Sequence, residues 1–179
     1  RCGTFFKKDM RILLVFLLIC FFPKNAFGQE TDLEKIVIID SLISVIPENP
    51  SKDSSFKIIQ SSGLIWKRSL LFFKKQIGGF HEIVIYKEGN IYLVKIIEKI
   101  KNTSTVQNYY FNHNQLIRYN ERRERLEKKE LIIDNEISTY FDSDRPIVIT
   151  GNENLIVDEI LEFSEERKSS WKAFILDRY

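Results

Sequence analysis

Cysteine, histidine, methionine, glycine and proline are all scarce in this chain. Its 179 residues include two Cys, two His, one Met, seven Gly and four Pro. Both cysteines, Cys2 and Cys20, fall in the first twenty residues. The remainder can form no disulfide, thiolate nucleophile or zinc–thiolate site. So few glycines and prolines exclude collagen-like and low-complexity classes. No excess of one charge sign exists either, with 27 Lys and Arg against 25 Asp and Glu. Nucleic-acid binding needs a basic footprint, so that class is set aside. The nucleophile elbow G-x-S-x-G is missing, and Gly78-Gly79 is not followed by the Lys-Ser or Lys-Thr of a phosphate loop. General disorder is excluded by a hydrophobic fraction of 44%.

The one long apolar run is Ile12–Phe22, and its surroundings read as a secretory signal peptide. Met10 and Arg11 precede it, and Pro23-Lys24-Asn25 and the small-x-small triplet Ala26-Phe27-Gly28 follow. Cleavage is expected after Gly28. A helix of that length covers about 16 Å, too short for a hydrocarbon core of about 30 Å. Residues 1–9 then read as an upstream extension. Two alternatives compete: an uncleaved anchor, and a lipoprotein signal acylated at Cys20, where the bulky Ile19 stands in place of a small residue. Residues 1–28 carry five basic residues (Arg1, Lys7, Lys8, Arg11, Lys24) and one acid (Asp9), so 22 of the 27 bases and 24 of the 25 acids remain beyond them. The expected location is periplasmic or secreted.

Residues 29–179 are expected to form a single α+β domain. Thr31-Asp32-Leu33-Glu34 is a capping-box pattern that opens a helix over about 32–46, despite the β-branched run Ile36-Val37-Ile38-Ile39. Pro47 to Ser55 reads as loop. The stretch 56–78 is ambiguous, with a turn expected at Ser61-Ser62-Gly63. From Gly79 onward strands alternate with polar turns at 87–90, 102–105, 112–115 and 142–145. Tyr109-Tyr110-Phe111, four polar residues, then Leu116-Ile117 repeats thirty residues later as Thr139-Tyr140-Phe141, four polar residues, then Pro146-Ile147. The pair Ile85-Tyr86 and Ile91-Tyr92 fits the same template. A closing helix is expected over about 154–175, capped by Asn152 or Asn154. The expected fold class is therefore an antiparallel β-meander of five to seven strands over about 64–150, with an N-terminal and a C-terminal helix packed on one face.

The hairpins Tyr109-Tyr110-Phe111 with Leu116-Ile117-Arg118, and Tyr140-Phe141 with Pro146-Ile147, resemble those of small exported bacterial β-meander proteins of unassigned function. Those proteins also end in an acidic amphipathic helix. The resemblance covers about residues 80–175 and implies an envelope location. It carries over no functional residue.

Candidate chemistry is sparse. His81 and His113 are the only histidines; a small hydrolase would need them beside carboxylates such as Glu82 or Asp142. Asn102-Thr103-Ser104 matches a glycosylation acceptor, a pattern that recurs by chance. The run Glu121–Glu130 mixes both signs and reads as an exposed strand end or hairpin tip. The aromatic hairpins are the more suggestive feature. A two-residue loop at His113-Asn114 would pair Tyr109 with Arg118 and Tyr110 with Ile117. Tyr86, Tyr92, Tyr109, Tyr110, Arg118, Tyr119 and Tyr140 are the candidate binding residues of a sheet face, with no catalytic residue, metal or cofactor assigned. The expected function is a non-enzymatic binding or interaction module of the cell envelope, a monomer with a protein or glycan partner and no membrane span; the alternative is the small hydrolase. Mass spectrometry of the protein from its host is expected to find Gln29 at the N-terminus. A chain intact from Met10 would refute cleavage, and an acylated Cys20 would replace it with the lipoprotein route.

Overall fold

The computed structural model describes residues 31–51, 54–69, 73–151 and 157–177, without the side chains of 68, 69 and 73. The signal segment, both cysteines, and the expected caps Asn152 and Asn154 lie outside them. Two compact units divide the chain, Arg1–Lys35 and Ile36–Tyr179. In the first, the capping box forms as the spacing predicts. The Thr31 N–H donates to Glu34 Oε2 at 2.8 Å, and the Glu34 N–H donates to Thr31 Oγ1 at 3.3 Å. Helix α1 (Asp32–Ser44) starts there. Its β-branched run stays helical.

Seven strands follow: β1 (Lys57–Ser69), β2 (Phe73–Lys87), β3 (Asn90–Ile100), β4 (Thr103–Asn112), β5 (Gln115–Glu127), β6 (Glu130–Asp142) and β7 (Arg145–Thr150), then helix α2 (Val157–Leu176). They form one antiparallel sheet in chain order, the α+β meander the sequence predicts. Residues 56–78, ambiguous by pattern, are mostly strand. Ser61-Ser62-Gly63 is no turn but the middle of β1. Gly63 serves packing: a Cβ there would stand 2.5 Å from the Phe80 ring on the neighbouring strand. Likewise the expected loop at 102–105 shrinks to Lys101-Asn102, and Thr103 already belongs to β4.

The turns Glu88-Gly89, His113-Asn114, Lys128-Lys129 and Ser143-Asp144 each hold two successive positive φ angles. That backbone twist suits two-residue hairpins. The hairpin repeat is structural as well. Tyr86 pairs with Ile91, Phe111 with Leu116 and Phe141 with Pro146, and next to each pair the register shifts by one residue. The bulges leave Tyr92, Ile117 and Ile147 as the extra residues. The pairing therefore differs from a plain two-residue hairpin: Tyr109 faces Tyr119, and Tyr110 faces Arg118.

One register row crosses all seven strands: Ile59, Val84, Val94, Tyr109, Tyr119, Thr139 and Ile149. Helix α2 covers this row with Ile160, Phe163, Trp171 and Ile175, and Tyr86, Ile91, Phe111, Leu116 and Phe141 complete the core. Helix α1 meets the opposite face. Its Asp40 bonds Arg118 and Tyr140, the immediate neighbours of Tyr119 and Thr139, and adjacent strand residues point to opposite sides. The expectation that both helices share one face is corrected here. The physical reason is that strand alternation leaves apolar groups on both sides: Ile85 and Leu93, next to Val84 and Val94 of the core row, are buried on the α1 side.

Gly78 packs closely on the neighbouring strand, where a Cβ would collide with the Lys99 carbonyl oxygen. Gly78→Ala is expected to lower stability by about 1–3 kcal/mol, the usual cost of overpacking, read as a lower urea midpoint with unchanged slope. A wild-type midpoint would refute that close packing.

Candidate functional sites on the two sheet faces

Strands β1, β2, β5 and β6 run 13, 15, 13 and 13 residues, about twice the usual strand length. Helix α2 covers only the half of its face near the turns at 88–89 and 113–114. Along that face the rows grade from apolar to charged. Beside the core row lies Ser61, Glu82, Ile96, Gln107, Glu121 and Ile137, and next to it Gly63, Phe80, Glu98, Thr105, Arg123 and Asn135.

The intermediate row is where the helix ends its cover. Glu82 is 3% exposed. It accepts from the Trp171 indole N–H at 2.7 Å and from Arg167 at 3.4 Å. A buried carboxylate requires such donors. Glu121, also buried, accepts from the Tyr119 hydroxyl at 2.7 Å and from Gln107 Nε2 at 3.0 Å. Tyr109 lies between Tyr119 and Phe163 with its ring tilted to both, centroids 4.9 and 5.7 Å away. Burial holds the hydroxyls of Tyr109 and Tyr119 well above the ordinary tyrosine range. The Tyr109 hydroxyl next to Tyr119 and the Glu121 carboxylate push Tyr119 further in the same direction.

Past that row the face opens into a groove of about 1230 Å³, lined by Lys67, Lys75, Ile77, Glu98, Ile100, Lys101, Asn102, Thr103, Thr105, Arg123, Arg125 and Asp134. Five of these are basic and two acidic. Arg123 leans on Glu121 at 3.4 Å, and Arg125 on Glu127 and Asp134 at 3.5 Å each. Among the described residues, no carboxylate lies within ion-pair distance of Lys67, Lys75 or Lys101. Lys67 and Lys75 are direct cross-strand partners, an arrangement that repels. Lys74, next to Lys75 on β2, falls on the other face by strand alternation.

On the α1 side, Asp40 Oδ1 accepts from Arg118 Nη1 at 2.9 Å and from the Tyr140 hydroxyl at 3.1 Å, and the guanidinium lies 4.8 Å over the Tyr140 ring. Burial raises the Tyr110 and Tyr140 hydroxyls, against the opposing pull of Arg118. Beside them runs a smaller groove of about 530 Å³ lined in part by Asn108, Asn120 and Ser138. The Ser138 hydroxyl donates to Asn120 Oδ1 at 2.8 Å.

The seven candidate binding residues thus separate. Tyr86, Tyr109 and Tyr119 are buried core residues under α2. Tyr110, Arg118 and Tyr140 sit together in one row of the α1 face. Tyr92 meets Phe56 edge-on at 5.2 Å. His113 lies exposed in a turn, 2.9 Å from Asn112 Oδ1, and His81 lies in β2 between Ser62 and Ile97. No three His, Cys, Asp or Glu side chains converge among the described residues. The basic groove escaped the sequence reading. Its signal was present in the mirrored pairs Lys67-Arg68 and Lys74-Lys75, which only a hairpin centred between them brings face to face.

Neutral burial of Tyr109 and Tyr119 makes stability depend on pH in one direction. Their folded values lie above the unfolded value of 10.0, so the contribution is whole below about pH 10 and falls as pH rises further. Spectrophotometric titration is expected to show these two tyrosinates appearing together with loss of the sheet's circular dichroism. Their ionisation in an intact sheet would refute the buried network. No protein-family model, curated protein or solved structure matches this chain.

Proposed function

We propose that the chain is an exported, non-enzymatic binding module that takes an anionic ligand in the basic groove beside α2. One observation carries the reading: three lysines without carboxylate partners among the described residues share a concave surface with two arginines, although the chain beyond residue 28 is slightly acidic overall. A protein gains nothing in stability from Lys67 opposite Lys75. An anion lying between them converts that repulsion into two attractions. The arginines are oriented in advance by Glu121, Glu127 and Asp134, so they lose less freedom when a ligand arrives. Export is supported by the signal-like pattern at Met10–Gly28. The grading of the face also fits, because the buried Glu82 and Glu121 networks form a rigid floor next to the groove.

Dextran sulfate is the direct probe, with neutral dextran as control. The chain beginning at Gln29 is expected to bind the sulfated polymer, with affinity falling steeply as salt rises. Lys67→Glu combined with Lys75→Glu should weaken binding by at least about tenfold. That double variant keeps like charges opposite one another, so its folding is expected to match wild type. Equal affinity for both polymers, or an unaffected double variant, would overturn the proposal.

A further inference from the structure

The two ends of the sheet differ in charge and in apolar exposure. Because every strand pairs with its chain neighbour, the β1–β2, β3–β4 and β5–β6 connections share one end. Residues 67–69, 73–75, 98–105 and 122–134 at that end hold eleven basic and five acidic residues; residues 84–93, 108–119 and 138–149 at the other hold three of each. The basic end also exposes large apolar side chains. Trp66 is 53% exposed and Leu131 69%, and Leu126 and Ile133 are exposed beside them. At the opposite end, only Ile149 in those stretches is comparable. The β5–β6 turn itself is Lys128-Lys129, flanked by Leu126 and Leu131.

We infer that this end of the sheet docks peripherally on an anionic phospholipid layer. The inference rests on the proposed anion site and names the source of the anion. A linear polyanion would follow the groove on one face. Here Lys67 and Lys75 put positive charge on the groove face and Lys74 puts it on the other, and the basic stretches reach from β1 to β6, about 24 Å at usual strand spacing. A flat charged layer meets the whole end at once. The exposed apolar side chains at this end lie by strand parity on the face opposite the groove, and they support the same reading. A soluble polyanion has no use for them, whereas a bilayer interface accepts them while lysine ammonium groups stay at the headgroups. No described helix is long and apolar enough to cross a membrane.

Vesicle sedimentation tests this with the chain beginning at Gln29. It is expected to bind vesicles of phosphatidylcholine with phosphatidylglycerol and not phosphatidylcholine alone, with a blue shift in emission that Trp66→Phe removes. Lys128→Glu with Lys129→Glu should lower partitioning by at least about 100-fold. Leu131→Ser with Ile133→Ser, both exposed, should lower it about tenfold while dextran sulfate binding stays at the wild-type level. Binding to both vesicle types alike, or to neither, overturns the inference. Dextran sulfate bound without vesicles would remove the lipid assignment and leave the groove reading standing. Loss of both would remove both.

Discussion

Pairing each strand only with its chain neighbour is the constraint on which the rest of this structure depends. In such a sheet two parities give every side chain its address. The parity of the residue along its strand selects the face, and the parity of the connection selects the end. Core, charged groove and aromatic row are separated by these two rules within one sheet. The three matching bulges refine the address, since each inserts one residue and returns the chain to register on the far side. A bulge-free version would turn Arg118 against Tyr109 and carry a charge toward the helix-covered face.

Each helix is tied to the sheet by a carboxylate, and α2 by apolar packing as well. Helix α2 closes over Glu82 through Trp171 and Arg167, and α1 brings Asp40 to Arg118 and Tyr140. The second contact is largely exposed and so contributes little to stability. The first is buried, where an apolar residue of similar volume would serve stability equally well. Its effect is positional. An indole N–H and a guanidinium can meet that carboxylate in few helix placements, so the pair fixes how far α2 extends along the face and where the open groove begins.

The meander, both helices and the hairpin template were legible because they rest on local signals: turn composition, two-residue alternation and the capping box at Thr31 and Glu34. What was not legible depends on distant pairing. Gly63 looks like a turn residue until Phe80 is placed across from it. The tyrosines look alike in sequence, yet Tyr109 and Tyr110 occupy opposite faces, and which face α2 covers is decided by residues about ninety positions away. The basic groove draws on β1 to β6 and has no contiguous motif. Like-charge pairs such as Lys67 and Lys75 are visible only after the hairpin register is known.

The chain-order topology also bears on how the molecule reaches its native state. Every strand contact joins residues close in sequence, so each hairpin can close at small loop entropy and add to the one before it. The helix contacts are different in kind: Asp40 to Tyr140 spans 100 residues, and Glu82 to Trp171 spans 89. The sheet is therefore able to zip together progressively while the helices close late. An early intermediate would expose both faces at once, and the lysines spread along the longest strands would keep neighbouring copies from stacking during that interval.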